Sequence, residues 1–290
     1  MSIFGSIGRR LPGLRGAAPV VAVVRLVGPI GMVGIRPGLM LVQLAPVLER
    51  AFALRHLAAV AIIVNSPGGS AVQSALIASR IRALAAERSV PVIAFVEDVA
   101  ASGGYWLACA GDEIVVHEAS IVGSIGVVAA SFGFQDLIRR FGIERRLHTS
   151  GELKAQLDPF APEDPAEVAR LEALLGDMHD TFNRMVKERR GARLKADDGT
   201  LFSGEFWTGR KALDLGLVDG FGEVRSVMRA RYGERVRLRV VGARQPLLQR
   251  LSGRSSLTLR VAGGSDGARG LADAVVGVLE ERAMWGRFGL

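Results

Sequence analysis

Along the first two hundred residues the apolar positions switch between two rhythms. β-Branched runs at Pro19–Val27, Ala58–Val64 and Val90–Val96 predict buried strands. Leucines at helical spacing predict a helix over Leu39–Leu54. Val72, Leu76, Ile77, Ile81 and Leu84 predict an amphipathic helix over Ser70–Ala86. A further helix is expected to begin near Ser102, followed by short strands at Glu113–Val116 and Ser124–Val128. A helix at Phe134–Phe141, a strand at Glu144–His148 and a long helix from about Pro165 to Arg190 complete the pattern. Such alternation indicates an α/β fold with right-handed crossovers. The span Ala243 to Gly270, rich in Gly, Ser and Arg, reads as loosely ordered, and Leu271–Trp285 reads as an amphipathic terminal helix. Three parts are therefore expected: a basic segment over 1–18, one large domain over 19–242 and a basic extension over 243–290.

Composition narrows the function classes. With 290 residues, 49% hydrophobic and 23% charged, the chain has the apolar content to offset its conformational entropy. Its one cysteine, Cys109, excludes an internal disulfide and a cysteine-cluster metal site. Four scattered histidines, His56, His117, His148 and His179, argue against a histidine-based zinc site. The opening MSIFGSIGRRLPGLRG lacks the apolar core of a signal peptide. Arg25, Pro29 and several glycines break the apolar run Ala17–Ile35, which reads as a first strand rather than a membrane span. The expected location is cytoplasmic, or peripheral to the inner face of the membrane.

The formal charge of +8 is local. Arg225 to Arg260 holds ten arginines and one acid, Glu234, and so carries +9; the remainder is close to neutral. That stripe suits contact with an anionic membrane surface, or a solvated face lining an oligomer pore. Nucleic acid is disfavoured, because Tyr232 is the only aromatic there for base stacking.

Two glycine-rich turns follow buried strands. Asn65-Ser66-Pro67-Gly68-Gly69 sits between a strand and a helix, where bare backbone N–H groups can face a phosphate or a developing oxyanion. An ordinary βα turn is the plainer alternative. Ala100-Ala101-Ser102-Gly103-Gly104-Tyr105-Trp106 has the small flanking residues that let a serine project as a nucleophile, although a serine N-cap would look the same. Such a nucleophile needs a base, and neither His117 nor His148 has a compelling position. Lys154, in Thr149-Ser150-Gly151-Glu152-Leu153-Lys154 at the end of the expected strand, could serve if burial lowered its pKa. Arginine could not. Lysine is scarce, four residues against 33 arginines, and Lys154 is the first in the chain. A third turn, Val122-Gly123-Ser124-Ile125-Gly126-Val127, offers a hydroxyl, Ser124, that could orient a neutral lysine or simply bond its own turn.

Taken together, NSPGG, AASGGYW, GSIGV at Gly123–Val127, SGELK at Ser150–Lys154, and Phe206-Trp207-Thr208-Gly209-Arg210-Lys211-Ala212 leading into Gly216-Leu217-Val218-Asp219 resemble the signal peptide peptidase A (protease IV) family of serine peptidases. The resemblance spans about Pro19 to Arg231. It implies the Clp protease/crotonase-like fold of stacked βαβ units with a C-terminal helical extension. It also implies a serine–lysine dyad: Ser102 as nucleophile, Lys154 as general base, Ser124 coordinating the lysine, and the N–H groups of Gly69 and Gly103 as oxyanion hole. Peptide substrates, a homo-oligomer with sheltered sites and a dyad completed across a subunit boundary are compatible with it. Many relatives carry a membrane anchor, and this sequence shows none. Two other readings are a degenerate membrane-organising scaffold, which would have no reason to keep both Ser102 and Lys154, and a crotonase-like acyl-CoA hydratase or isomerase, which would want a carboxylate where Ser102 stands.

Overall fold

The computed structural model describes residues 17–33, 36–151, 153–242 and 277–290. The basic segment up to residue 16 and the span expected to be loosely ordered lie outside these residues, as does the start of the expected terminal helix, which is seen from 277 to 286. In chain order the elements are β1 (Val20–Val27), the small hairpin β2 (Met32–Val33) and β3 (Arg36–Pro37), α1 (Leu41–Phe52), β4 (Leu57–Ser66), α2 (Ala71–Arg88), β5 (Val92–Ala101), α3 (Gly103–Ala108), β6 (Glu113–Val116), β7 (Ile121–Gly123), α4 (Gln135–Arg140), α5 (Pro165–Arg190), α6 (Asp198–Leu201), β8 (Phe206–Thr208), α7 (Gly209–Asp214), β9 (Gly220–Phe221), α8 (Val224–Tyr232) and β10 (Arg237–Val240).

The sheet runs β10-β1-β4-β5-β6-β9, all parallel, with β7 beside the end of β5 and β8 antiparallel to β7. This is the α/β architecture of βαβ units that the alternation predicts. Strand side chains alternate between faces. Ala22, Val24, Leu26, Val60, Ile62 and Val64 join the larger core beneath α1, α2 and α3. Val21, Val23, Ala61, Ile63 and Phe95 form a second layer against Met228 of α8. A parallel sheet covered on both faces needs the near-continuous apolar strands seen in the sequence.

Helix α5 begins with a built cap: Asp164 accepts from the N–H of Ala166, and Pro165 occupies the first turn. Of its 26 residues only Phe182, Val186 and Arg190 are buried. Phe182 stacks on Trp106 of α3 with 4.8 Å between ring centroids. Arg190 makes a two-pronged pair with Asp219, at 2.7 and 3.0 Å, and also donates to the carbonyl of Gly216. Burial pushes the Asp219 carboxyl up, but the Arg190 hydrogen bonds and charge, the N–H of Ile114 and Arg193 outweigh it, leaving Asp219 below the ordinary carboxylate range.

The structure revises several sequence expectations. β5 continues to Ala101 rather than ending at Val96, because Glu97 and Asp98 form a bulge that the apolar pattern cannot register. The strand expected at Ser124–Val128 is replaced by β7, which ends at Gly123, where φ of +118° turns the chain out of the ladder. Glu144–His148 forms no strand; it is exposed throughout and no neighbouring strand pairs with it. Lys154 accordingly lies in a turn rather than at a strand end. On α2 the buried stripe is Ser74, Ile77, Ala78, Ile81, Leu84 and Ala85, whereas Val72 and Leu76 face outward.

Candidate active site

The two glycine turns meet at the C-terminal edge of the parallel sheet, where open α/β folds collect ligands. Three residues of β5 lie opposite the single residue Asn65 between the pairs Val64↔Val96 and Ser66↔Ala100. The Asn65 side chain fills the gap, donating to Asp98 at 2.7 Å and accepting from the N–H of Val99 at 3.1 Å. The bulge thus delivers the end of β5 next to Pro67–Gly69.

Ser102 is the first residue past the ladder. Its φ and ψ are 52° and −122°, a conformation that L-residues avoid and that costs about 1–3 kcal/mol. Its N–H donates to the carbonyl of Gly123 at 2.8 Å, and its own carbonyl accepts from Trp106 to open α3. Although it stands at the N-cap position, its side chain makes no capping bond. The capping alternative therefore fails, and the hydroxyl bonds no described residue.

The turn opposite is clamped tightly. Ile30 donates its N–H to Gly68 and accepts from that of Ser70, at 2.8 and 2.9 Å. A Cβ on Gly69, where φ is +135°, would meet the carbonyl oxygen of Ile30 at 2.2 Å; one on Gly68 would meet the Ser102 Cβ at 2.8 Å. Only glycine fits this approach of backbone to Ser102. The N–H groups of Gly69 and Gly103 donate to no other described residue.

Ser124 mirrors Ser102. Ala101 pairs with Gly123, so the two serines leave the ladder side by side, and Ser124 also has φ of 52°. Gly123 pairs in turn with Phe206, a Cβ there would strike the Trp207 ring at 2.8 Å, and the N–H of Ser124 donates to the carbonyl of Glu205. The Phe206–Thr208 motif is thus the backing of the Ser124 turn. Ser124 is buried and its hydroxyl bonds no other described residue.

Ser102, Ser124, Gly69 and Gly103 line one open cleft of about 820 Å³. Lys154 is not among its lining residues: it is exposed, in the turn that joins its N–H to the carbonyl of Gly151. His117 and His148 are exposed and away from the cleft as well. The other walls went unread in the sequence. His179 and Phe182 reach in from α5, with the His179 Nε2 3.2 Å from the Ile125 carbonyl, Met284 comes from the far C-terminal helix and Arg287 from the turn after it. His179 shares the stripe of Phe182 and Val186, at helical spacing, and that stripe was the available signal. Cys109 is no rival nucleophile. Burial pushes its thiol up to about 11, against the weaker pull of Arg190. Among the described residues no cluster of His, Cys, Asp or Glu could hold a metal ion.

Residues 85–235 match the model of Peptidase family S49, a stretch that contains Ser102, Ser124 and Lys154. The chain belongs to peptidase family S49. A putative protease of Synechocystis is 30% identical over 68% of this chain and 73% of its own length. The chloroplastic serine protease SPPA of Arabidopsis thaliana is 32% identical over 72% of this chain and 32% of that protein. A Brucella abortus protein named as a Na(+)/H(+) antiporter, NhaA, is 48% identical over 99% of this chain, but the chain spans only 39% of that protein's length. The antiporter name describes that longer protein. Among the described residues no helix of this S49 chain is long and apolar enough to cross a membrane.

Proposed function

We propose that this chain is a serine endopeptidase that cleaves unfolded or signal-peptide-like peptides through an acyl-enzyme, with Ser102 as nucleophile and Lys154 as general base. The observation that carries the reading is the Ser102 elbow: a strained serine with an unused hydroxyl, beside two backbone N–H groups without acceptors. Neutral Lys154 takes the hydroxyl proton as Oγ attacks the peptide carbonyl. The N–H groups of Gly69 and Gly103 stabilise the tetrahedral oxyanion, each by about 3 kcal/mol. Lys154 then passes its proton to the leaving amine, and water repeats the cycle on the acyl-enzyme. Ser124 orients the lysine lone pair. These steps need no metal or organic cofactor.

A lysine works as a base near neutral pH only when desolvated. Lys154 is exposed in the single chain, so the proposal includes a homo-oligomer in which a second copy covers it and the dyad spans the boundary. Exposed apolar side chains at Phe132, Phe141, Ile143 and Leu153 in the same region support that cover. Arginines of α8, β10 and the link between them support peripheral contact with anionic lipid: Arg225, Arg235, Arg237 and Arg239 are exposed and pair with no described carboxylate. Co-sedimentation with anionic vesicles at low salt tests this contact, and absence of binding removes it.

Hydrolysis of unfolded casein and of a signal-peptide analogue tests the main reading. Ser102→Ala and Lys154→Ala should each lower kcat by at least about 10⁴-fold; alanine variants that cut like wild type overturn the dyad. Mixing the two inactive variants should restore cutting if the dyad crosses subunits. The pH–rate profile should show a base titrating well below 10, and activity confined to higher pH would argue against a desolvated lysine.

A further inference from the structure

We propose that Arg287 is a specificity-determining residue that anchors a carboxylate of the bound peptide, either an acidic side chain or the peptide's terminal carboxylate. The inference deepens the peptidase reading, on which it rests, by naming what the cleft selects. Arg287 is the only lysine, arginine, aspartate or glutamate among the described residues that line the cleft of Ser102. The rest of the wall is apolar side chain, hydroxyl and glycine backbone, with His179 as its one other titratable group. No described carboxylate lies within ion-pair distance of the Arg287 guanidinium, and unlike the other unpaired arginines, such as Arg225 and Arg237, it lines the cleft. An unpaired, planar, two-pronged donor at the rim of an apolar cleft matches a carboxylate in shape as well as charge.

Its position is built rather than incidental. Phe288, the next residue, is buried against Val99 and Ala101, with Trp285 and Ile121 packed around it. It also meets the ring of Phe206 edge-on at 5.1 Å. Ala101 directly precedes Ser102, and Phe206 pairs with Gly123, which directly precedes Ser124. One aromatic therefore ties the C-terminal turn to both serine-bearing strand ends, and that tie holds the neighbouring guanidinium at the cleft. Met284, one helical turn earlier, lines the same wall. The glycine N–H groups engage an oxyanion that exists only during reaction. Arg287 meets a charge already present in the substrate, so its effect falls on binding and KM rather than on kcat.

The test uses one apolar peptide in four forms: an internal Glu or Gln, combined with a C-terminal free acid or amide. Binding to the full-length Ser102→Ala protein, read by fluorescence anisotropy at low salt, should favour a carboxylate form by about fivefold, the upper reach of an exposed ion pair. Preference for Glu over Gln identifies the side chain as the source; preference for free acid over amide identifies the terminus. Adding Arg287→Ala should abolish the preference and Arg287→Glu should reverse it, with melting curves unchanged because Arg287 is exposed. Equal binding of all four forms, or a preference that survives Arg287→Glu, overturns the anchor. Cleavage of the same peptides by wild type reports separately on the peptidase reading: a carboxylate preference without any cutting would sustain the anchor and sink the peptidase.

Discussion

Between Val20 and Gly123 the strands bury nearly all the apolar side chains they carry, and the backbone around Ser102 is held by Ile30, Gly68 and Gly123. Between Val127 and Asp164 the reverse holds. Phe132 and Phe141 are 79% and 74% exposed, α4 buries nothing, and the expected strand there has no partner. The first region contains Ser102, Gly69 and Gly103; the second contains Lys154. The proposed nucleophile and oxyanion donors are brought together by one chain folding on itself. The segment bearing the proposed base has an apolar surface still to be covered. On the proposed reading, exposure in the second region goes with a surface awaiting a second copy rather than with lack of function.

That contrast can be broken in four ways, from the largest expected effect to the smallest. Gly69→Ala forces a Cβ onto the Ile30 carbonyl at 2.2 Å and should cost at least about 3 kcal/mol, read as a collapse of the thermal transition. A melting temperature like wild type would show that the turn is looser than its packing implies. Asp219→Asn leaves the buried Arg190 charge without its counter-ion and should cost about 3 kcal/mol near pH 7. The Asp219 carboxyl is depressed when folded, so its contribution is present above the unfolded value near 3.8 and lost as pH falls through the folded one. The deficit of the variant should therefore shrink below about pH 4, and a deficit constant with pH would discard this account.

Ser102→Gly relieves a positive φ that Ser102→Ala retains, and should be the more stable of the two by about 1 kcal/mol, although neither cuts peptide. Equal denaturation midpoints would mean that the elbow stores no strain. Last, Phe141→Ser should change the stability of the dilute, monomeric chain by no more than about 0.5 kcal/mol. It should nonetheless lower the sedimenting mass and the cleavage rate at higher concentration. A large loss of monomer stability would place Phe141 in a core of its own chain.

The site was legible where chemistry is written locally. Asn65–Gly69 and Ala100–Trp106 announce themselves because glycine and proline punctuate β-branched runs, although the bonds that hold them come from Ile30 and Gly123, which no local pattern shows. The extent of α5 was readable as about Pro165 to Arg190, and the structure adds the Asp164 cap and the Gly191 stop. Arg287 and Phe288 were not, because what makes them part of the cleft is contact with residues about 80 and 190 positions away, and no local pattern encodes that. The bulge in β5 hid for a different reason: Glu97 and Asp98 look like the end of a strand, and only the Asn65 side chain shows that the ladder resumes.

The pairing of Ala101 with Gly123 sets Ser102 and Ser124 side by side through main-chain bonds alone. Backbone bonds are indifferent to which side chains surround them. The walls facing the two hydroxyls, supplied by α5 and the C-terminal helix, are thereby free to exchange residues without moving either one. A lineage could retune what enters the cleft by substitution at Met178, Met284 or Arg287 while the reacting edge stays fixed. On the proposed reading, selectivity and chemistry would be separately heritable, and the wall is the place to look for divergence among relatives.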